Sequence, residues 1–102
     1  MPKHVSRPKH VTQIAPDLTR VIFENDRVRV IELTVEKGSK AGLHHHPEYF
    51  AYSMTPFEYI STPERGKPEH RKMEPGEVDW RDGESHAVEF TSPGRALIVE
   101  LK

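Results

Sequence analysis

Cysteine is absent from the 102 residues, so disulfides and thiolate metal ligation are both excluded. Any bound metal must rest on His, Asp or Glu. No apolar run approaches the roughly 20 residues that a membrane-spanning helix needs. Charge of one sign is also lacking: 15 Lys and Arg face 16 Asp and Glu, for a formal net charge of −1. Such a balance leaves no overall electrostatic footprint for nucleic acid. The N-terminal stretch MPKHVSRPKHVTQIAPDL is basic but has no apolar core of the kind a signal peptide requires, so a cytoplasmic chain is expected. The length allows one domain and one modest core, which buries roughly 60 to 70% of the surface of the unfolded chain. A metal or a partner subunit would assist so small a core.

Proline and glycine punctuate what is present. PKHV occurs twice, at Pro2–Val5 and Pro8–Val11, and these prolines with Pro16 remove donors that an inner strand would need. Residues 1–18 therefore read as an extended arm, either a tail or an edge strand laid on this subunit or on a neighbour. An arm that covers the sheet edge of a second copy would make a homodimer.

Residues 19–102 read as one domain of strands. VIFENDRVRVIELTVEKG is rich in β-branched residues, with a turn at Glu24–Asp26 and another after Val35. Its alternation changes phase between Val28 and Val30 on one parity and Ile31, Leu33 and Val35 on the other, which a bulge or two buried faces would explain. YFAYSM, FEYIS, HRKME, VDW, SHAVEF and RALIVELK follow as short strands, separated by turns that contain Pro or Gly. No segment sustains a helical period. The pattern predicts an all-β sandwich or barrel.

Three consecutive histidines, His44 to His46, lie in mid-chain, where a purification tag is not expected. On a strand, His44 and His46 share a face and His45 points away, so two of the three can chelate one ion. A third donor must come from a distant strand, and His86 in GESHAVEF is the candidate on a convincing one. His70 follows a Pro-containing turn among charges and reads as solvated, as do His4 and His10 in the arm. Glu48 is a possible fourth, oxygen ligand. Tyr49, Phe50, Tyr52 and Trp80 are the aromatics available to line a pocket.

Gly38, His44 and His46 fit the opening of G(x)5HxH(x)3-4E(x)6G, the first motif of the cupin family, and Gly83 and His86 fit the centre of its second motif, G(x)5PxG(x)2H(x)3N. The chain thereby resembles small single-domain cupins over about residues 27–102, nearest to the group labelled β-alanine degradation proteins. Phe50 and Ala51 stand where the first motif has its carboxylate, Arg81 where the second has proline, and Phe90 where it has asparagine.

The resemblance implies a double-stranded β-helix, or jelly-roll barrel, with an extended N-terminal arm. It also implies one divalent metal ion, whether Zn, Fe, Ni, Co, Cu or Mn, held by His44, His46 and His86 inside the barrel mouth. Such a set leaves positions open for water, a carboxylate or dioxygen. The implied function is action on a small polar or carboxylate-containing metabolite, with Tyr49 or Tyr52 assisting proton transfer. A set without the carboxylate is similar to that of the thiol and acireductone dioxygenases. The competing expectation is a cupin that binds or senses a metal or small ligand without chemistry.

Overall fold

The computed structural model describes residues 9–102. The first PKHV copy, His4 and Pro8 lie outside the described residues. From Lys9 onward the chain forms a four-residue helix α1 (Val11–Ile14) and nine strands: β1 (Thr19–Glu24), β2 (Val28–Val35), β3 (Lys40–His46), β4 (Tyr49–Ser53), β5 (Phe57–Pro63), β6 (Glu69–Met73), β7 (Val78–Arg81), β8 (Glu84–Phe90) and β9 (Gly94–Leu101). They make two antiparallel sheets, of order β1-β2-β9-β4-β7 and β3-β8-β5-β6, with the core between them. No helix among the described residues is long and apolar enough to cross a membrane.

The strands follow the turn chemistry of the sequence. After β1, Asn25 Oδ1 accepts from the backbone N–H groups of Arg27 and Val28 at 2.8 and 2.9 Å, which closes the END turn with an Asx side chain. β2 itself pairs with β9 without a break in register, so its change of apolar parity reflects two partly buried faces, and the bulge lies on its other neighbour. Val21 pairs with Ile31 and Phe23 pairs with Val30, so Ile22 is an extra residue bulged out of β1. On β2, Ile31, Leu33 and Val35 point into the core while Val28 and Val30 face outward, half-buried. Each fully buried aliphatic side chain of this kind contributes about 1.5 to 3 kcal/mol. Gly94 is a requirement of close approach between the sheets: a Cβ there would lie 2.6 Å from Phe57 Cγ.

Val11 and Ala15 are 3% and 6% exposed and belong to the core, so the segment after His10 is part of the packed body. Helix α1 escapes a periodicity search because four residues make barely one turn. It is set by local hydrogen bonds instead. His10 is the N-cap, its Nδ1 accepting the Thr12 N–H at 3.2 Å, and Gln13 Oε1 accepts the His10 N–H at 3.3 Å. The extended piece before the helix lies on this chain's own sheet edge, where His10 bridges His45 and the His45 N–H donates to Lys9 O at 2.8 Å.

Candidate metal centre

β3 is built to turn two histidines inward. Ala41 pairs with Val88 and His44 with His86, so three steps on β3 match two on β8 and the strand bulges at Gly42 and Leu43. Without the extra residue the inward parity of Ala41 would continue to Leu43, and His44 would face solvent. With it, Leu43 is exposed and His44 and His46 are buried, 1% and 3% exposed. His86, also 3% exposed, comes in from the partner strand directly opposite His44. The three ring centroids are 4.7 to 5.4 Å apart, and the three offer ligand nitrogens within 4.8 Å of one another. His45 points away, its Nδ1 3.0 Å from Ser85 Oγ.

Each inward histidine is gripped through Nδ1. His44 Nδ1–H donates to Gly42 O at 2.7 Å, a carbonyl in the bulge itself. His46 Nδ1–H donates to Glu100 Oε2 at 3.0 Å, and His86 Nδ1 lies 2.7 Å from Ser61 Oγ. An imidazole that donates through Nδ1 presents its Nε2 lone pair, the form a divalent metal binds. Among the described residues none of the three Nε2 atoms has a protein hydrogen bond. Among those residues, the one fully buried polar side-chain atom without a partner is Arg29 Nε, so these nitrogens open on the cavity that all three histidines line. That arrangement fits a divalent ion.

The electrostatics agree. Burial lowers His44 to about 4 and His86 to about 3, against an ordinary 6.5, so both are neutral at pH 7. Burial pushes the Glu100 carboxyl up, but hydrogen bonds from His10 and His46 outweigh it and bring it to about 2. Glu84 is likewise pushed up by burial and held at about 2 by hydrogen bonds from Arg71 and Tyr49. Two Arg71 nitrogens donate to the Glu84 carboxylate at 3.0 and 3.2 Å.

The other expected residues separate. Tyr49 is buried, its ring centroid 4.6 Å from that of His46 and its hydroxyl donating to Glu84. Tyr52, three residues on and therefore on the opposite face, is 41% exposed outside the barrel. The structure does not bring it to the histidines. Glu48 is exposed at the rim between β3 and β4 and is not grouped with them. Phe50 and Trp80 stack on each other on the outer face, with centroids 6.2 Å apart, so they do not line the cavity. His70 is exposed, as expected, 3.5 Å from Glu58. His10 is not solvated as expected: its Nε2–H meets both Glu100 oxygens at 2.7 Å. Phe90, in the place of the motif asparagine, packs in the core. β7 and β8 lie in different sheets, and the Asp82–Gly83 link carries the chain across with Gly83 at φ 114°, a value that favours glycine.

Glu100, Glu84 and Ser61 were not singled out in the sequence, although strand parity marks them. Glu100 follows Ala96 and Ile98 at intervals of two, Glu84 precedes His86 by two, and Ser61 follows Phe57 and Tyr59.

A search of solved structures returns jelly-roll barrels of the same build. A cupin domain from Bordetella pertussis Tohama I superposes with a TM-score of 0.74 at 22% identity, covering 97% of this chain and 99% of that one. An RmlC-like cupin from Desulfovibrio desulfuricans gives 0.61 at 13% identity over 99% and 96%. This is the cupin fold. The polyketide cyclase RemF from Streptomyces resistomycificus shares it, with a TM-score of 0.64 at 25% identity over 99% of this chain and 80% of that one. No family model and no curated protein matches the chain. The similarity bears on the cupin fold and leaves the narrower β-alanine group without support.

Proposed function

We propose that this cupin holds one divalent metal ion on His44, His46 and His86 and acts there on a small polar or carboxylate-containing metabolite. The observation that carries the reading is the set of three buried imidazoles, each held through Nδ1 with Nε2 turned to a common cavity. When bound, the ion supplies Lewis acidity and open coordination positions. Nitrogen ligands suit Zn, Fe, Ni, Co or Cu, and Mn with added oxygens. The chain's own residues do the rest. The cavity measures about 50 Å³, a few waters' worth, so it admits a group of a few atoms. Val11, Ala15 and Leu18 form part of its wall. Tyr49 presents a hydroxyl at the edge of the histidine cluster and Glu84 fixes its direction. The cyclase that shares this fold supports a catalytic reading by analogy of architecture alone.

One observation favours the second reading, a cupin that binds or senses without chemistry. Burial and Glu84 raise the Tyr49 hydroxyl above its ordinary value of 10, and Glu84 is itself paired with Arg71, so neither group is free to take a proton at neutral pH. Elemental analysis of protein purified without a histidine tag, with oxygen uptake measured in the presence of small thiols, amino acids and organic acids, separates the readings. Bound iron with substrate-dependent uptake supports the enzyme of dioxygenase type, and tight zinc without turnover supports the binding protein. Protein that takes up no divalent metal defeats the enzyme reading and leaves only a binder of small ligands.

We also propose a homodimer, through a surface other than the arm. The outer face of the five-stranded sheet carries an unbroken apolar row by register, Phe23–Val30–Val99–Phe50–Trp80, which crosses all its strands. Tyr52 and Val78 flank it, and Phe23, Trp80 and Val78 are 53%, 50% and 59% exposed. Five strands about 4.8 Å apart and three rows about 6.8 Å apart span roughly 24 by 20 Å. With a polar rim this approaches the roughly 800 Å² per partner of a stable interface. A row running the width of the sheet meets its own copy under a two-fold axis, which favours a second chain as the occupant.

A further inference from the structure

The N-terminal segment reaches the metal site by a route that the ligand set does not use. His10 Nε2–H donates to the Glu100 carboxylate at 2.7 Å, and the same carboxylate accepts from His46 Nδ1–H at 3.0 Å. Glu100 is 2% exposed and arrives from β9, ninety residues from His10 in sequence. The direction of each bond is fixed. His10 Nδ1 accepts the Thr12 backbone N–H, so its Nε2 carries the proton. His10, His46 and Glu100 also lie close enough to suggest a second ion site. Here, however, two N–H groups already point at one carboxylate, so these contacts are hydrogen bonds and not converging lone pairs.

The segment that carries His10 is a strap over the barrel. Lys9 O accepts the N–H of His45, the residue between two candidate ligands, and Val11, Ala15 and Leu18 close the cavity wall. Ile14 packs over the bulge that turns His44 inward, its Cγ2 3.6 Å from where a Cβ on Gly42 would be. The strap is therefore tied to the ligand strand by a backbone bond beside His46, by a side-chain bond behind His46, and by apolar contact beneath His44.

From this arrangement we infer that His10 and Glu100 are positioning residues for the metal ligand His46, and that metal binding and docking of residues 9–18 are coupled through them. The inference rests on the three-histidine metal reading and extends it. A carboxylate behind a ligating imidazole fixes ring orientation and raises its basicity as a ligand. Here that carboxylate is itself oriented by a residue on the strap. A strap that lifts leaves Glu100 with one donor fewer and His46 less firmly aimed. Conversely, an ion that pins His46 strengthens the place where the strap docks. Binding linkage requires the two effects to be equal in size.

The test uses the full chain and zinc alone. Affinity is measured by competition with a chelator, and amide hydrogen exchange is followed at His45, whose N–H donates to the strap, and at Ala15, whose N–H closes helix α1 within it. Glu100→Gln is expected to weaken zinc roughly 10- to 100-fold, the loss usual for a partner behind a ligand. His10→Ala is expected to weaken it by a smaller factor, and the double variant no more than Glu100→Gln alone, because His10 acts through Glu100. In the wild type zinc should slow exchange at both amides; in either variant that protection should shrink. A strap of merely structural value would give additive losses and no zinc-dependent protection. If Glu100→Gln does not fold, His10→Ala decides. Wild-type protein that takes up no zinc defeats the metal reading and the coupling with it. Tight wild-type binding, equalled by His10→Ala and with exchange unchanged by zinc, overturns the coupling and leaves the metal site standing.

Discussion

The Tyr49 hydroxyl donates to the Glu84 carboxylate, joining β4 of one sheet to β8 of the other at the edge of the histidine cluster. A hydrogen bond to a charged acceptor in a buried place contributes about 1.5 to 3 kcal/mol. Tyr49→Phe should therefore lower unfolding free energy by about that amount in a denaturant titration. Tyr52→Phe, on the exposed outer face, should stay within about 0.5 kcal/mol of the wild type. If the protein proves catalytic, turnover should fall for Tyr49→Phe alone. Equal effects from the two would contradict the placement of Tyr49 at the site.

The bulge at Gly42 and Leu43 makes the three adjacent histidines unequal. Alanine at His44, His46 or His86 should each reduce metal affinity by orders of magnitude. His45→Ala loses a hydrogen bond to Ser85 and should retain the ion. Chelator competition reads the difference. Loss of metal on His45→Ala with full retention on His44→Ala would put the wrong face of β3 inside the barrel.

Acid should act on metal-free protein in two windows. His44 and His86 have folded values of about 4 and about 3 against 6.5 in the unfolded chain, so the unfolded state binds more protons between these limits. Stability is then fully present above about pH 6.5 and falls as the pH drops toward 3. Glu84 and Glu100, at about 2 against 4.5, add a second loss below about pH 4.5. Metal occupancy of the folded protein should decline only toward the lower end of the first window, near the folded values of about 4 and about 3, where protons begin to compete for the same nitrogens. Chemical unfolding at a series of pH values checks this. A midpoint unchanged from pH 7 to pH 5 would show that the histidines are not buried as described.

Gly94 holds the two sheets at their spacing. Gly94→Ala forces a methyl against Phe57, and overpacking of this kind costs about 1 to 3 kcal/mol. Phe57→Leu in the same chain should recover part of the loss. An unchanged denaturation midpoint for Gly94→Ala would mean that the sheets separate freely at that point.

Charge placed on the outer apolar row should break the proposed dimer. Phe23→Glu with Trp80→Glu is expected to halve the mass in solution, measured by light scattering, with little change in the barrel's circular dichroism. A wild type that is already monomeric, or a dimer that survives both glutamates, removes this face from the interface.

Most of the barrel was legible because its signals are local. Turn residues bound the strands, and each strand from β4 to β9 lies within two residues of a run visible in the sequence. The phase change in β2 left a bulge or two buried faces open; β2 runs unbroken with Val28 and Val30 half-buried on its outer face, and the bulge at Ile22 belongs to β1. The bulge that aims His44 was not legible, because Gly42 and Leu43 carry no mark of their pairing with β8. In that respect the inward parity of His44 and His46 relative to each other was read correctly while its cause was not. Helix α1 is capped by His10, which is outside the usual Ser, Thr, Asp and Asn set, and its four residues are too few to show a period. The role of Glu100 depends on β9 lying beside β4, a pairing across some fifty residues that no local pattern carries.

That placement of β9 also governs how the molecule comes into being. The strand at residues 94–101 sits in the middle of its sheet, between β2 and β4. A nascent chain therefore has neither the five-stranded sheet nor Glu100 until these residues have left the ribosome. Before that, β2 and β4 each expose an unpaired inner edge, the kind that recruits other chains. Strand pairing over such separations is slow, because loop closure precedes the contacts that reward it. Assembly of this sheet thus waits for residues 94–101 and is close to all-or-none. A chain that lacks residues 94–101 is expected to be a target for chaperones and proteases, not a weaker form of the same protein.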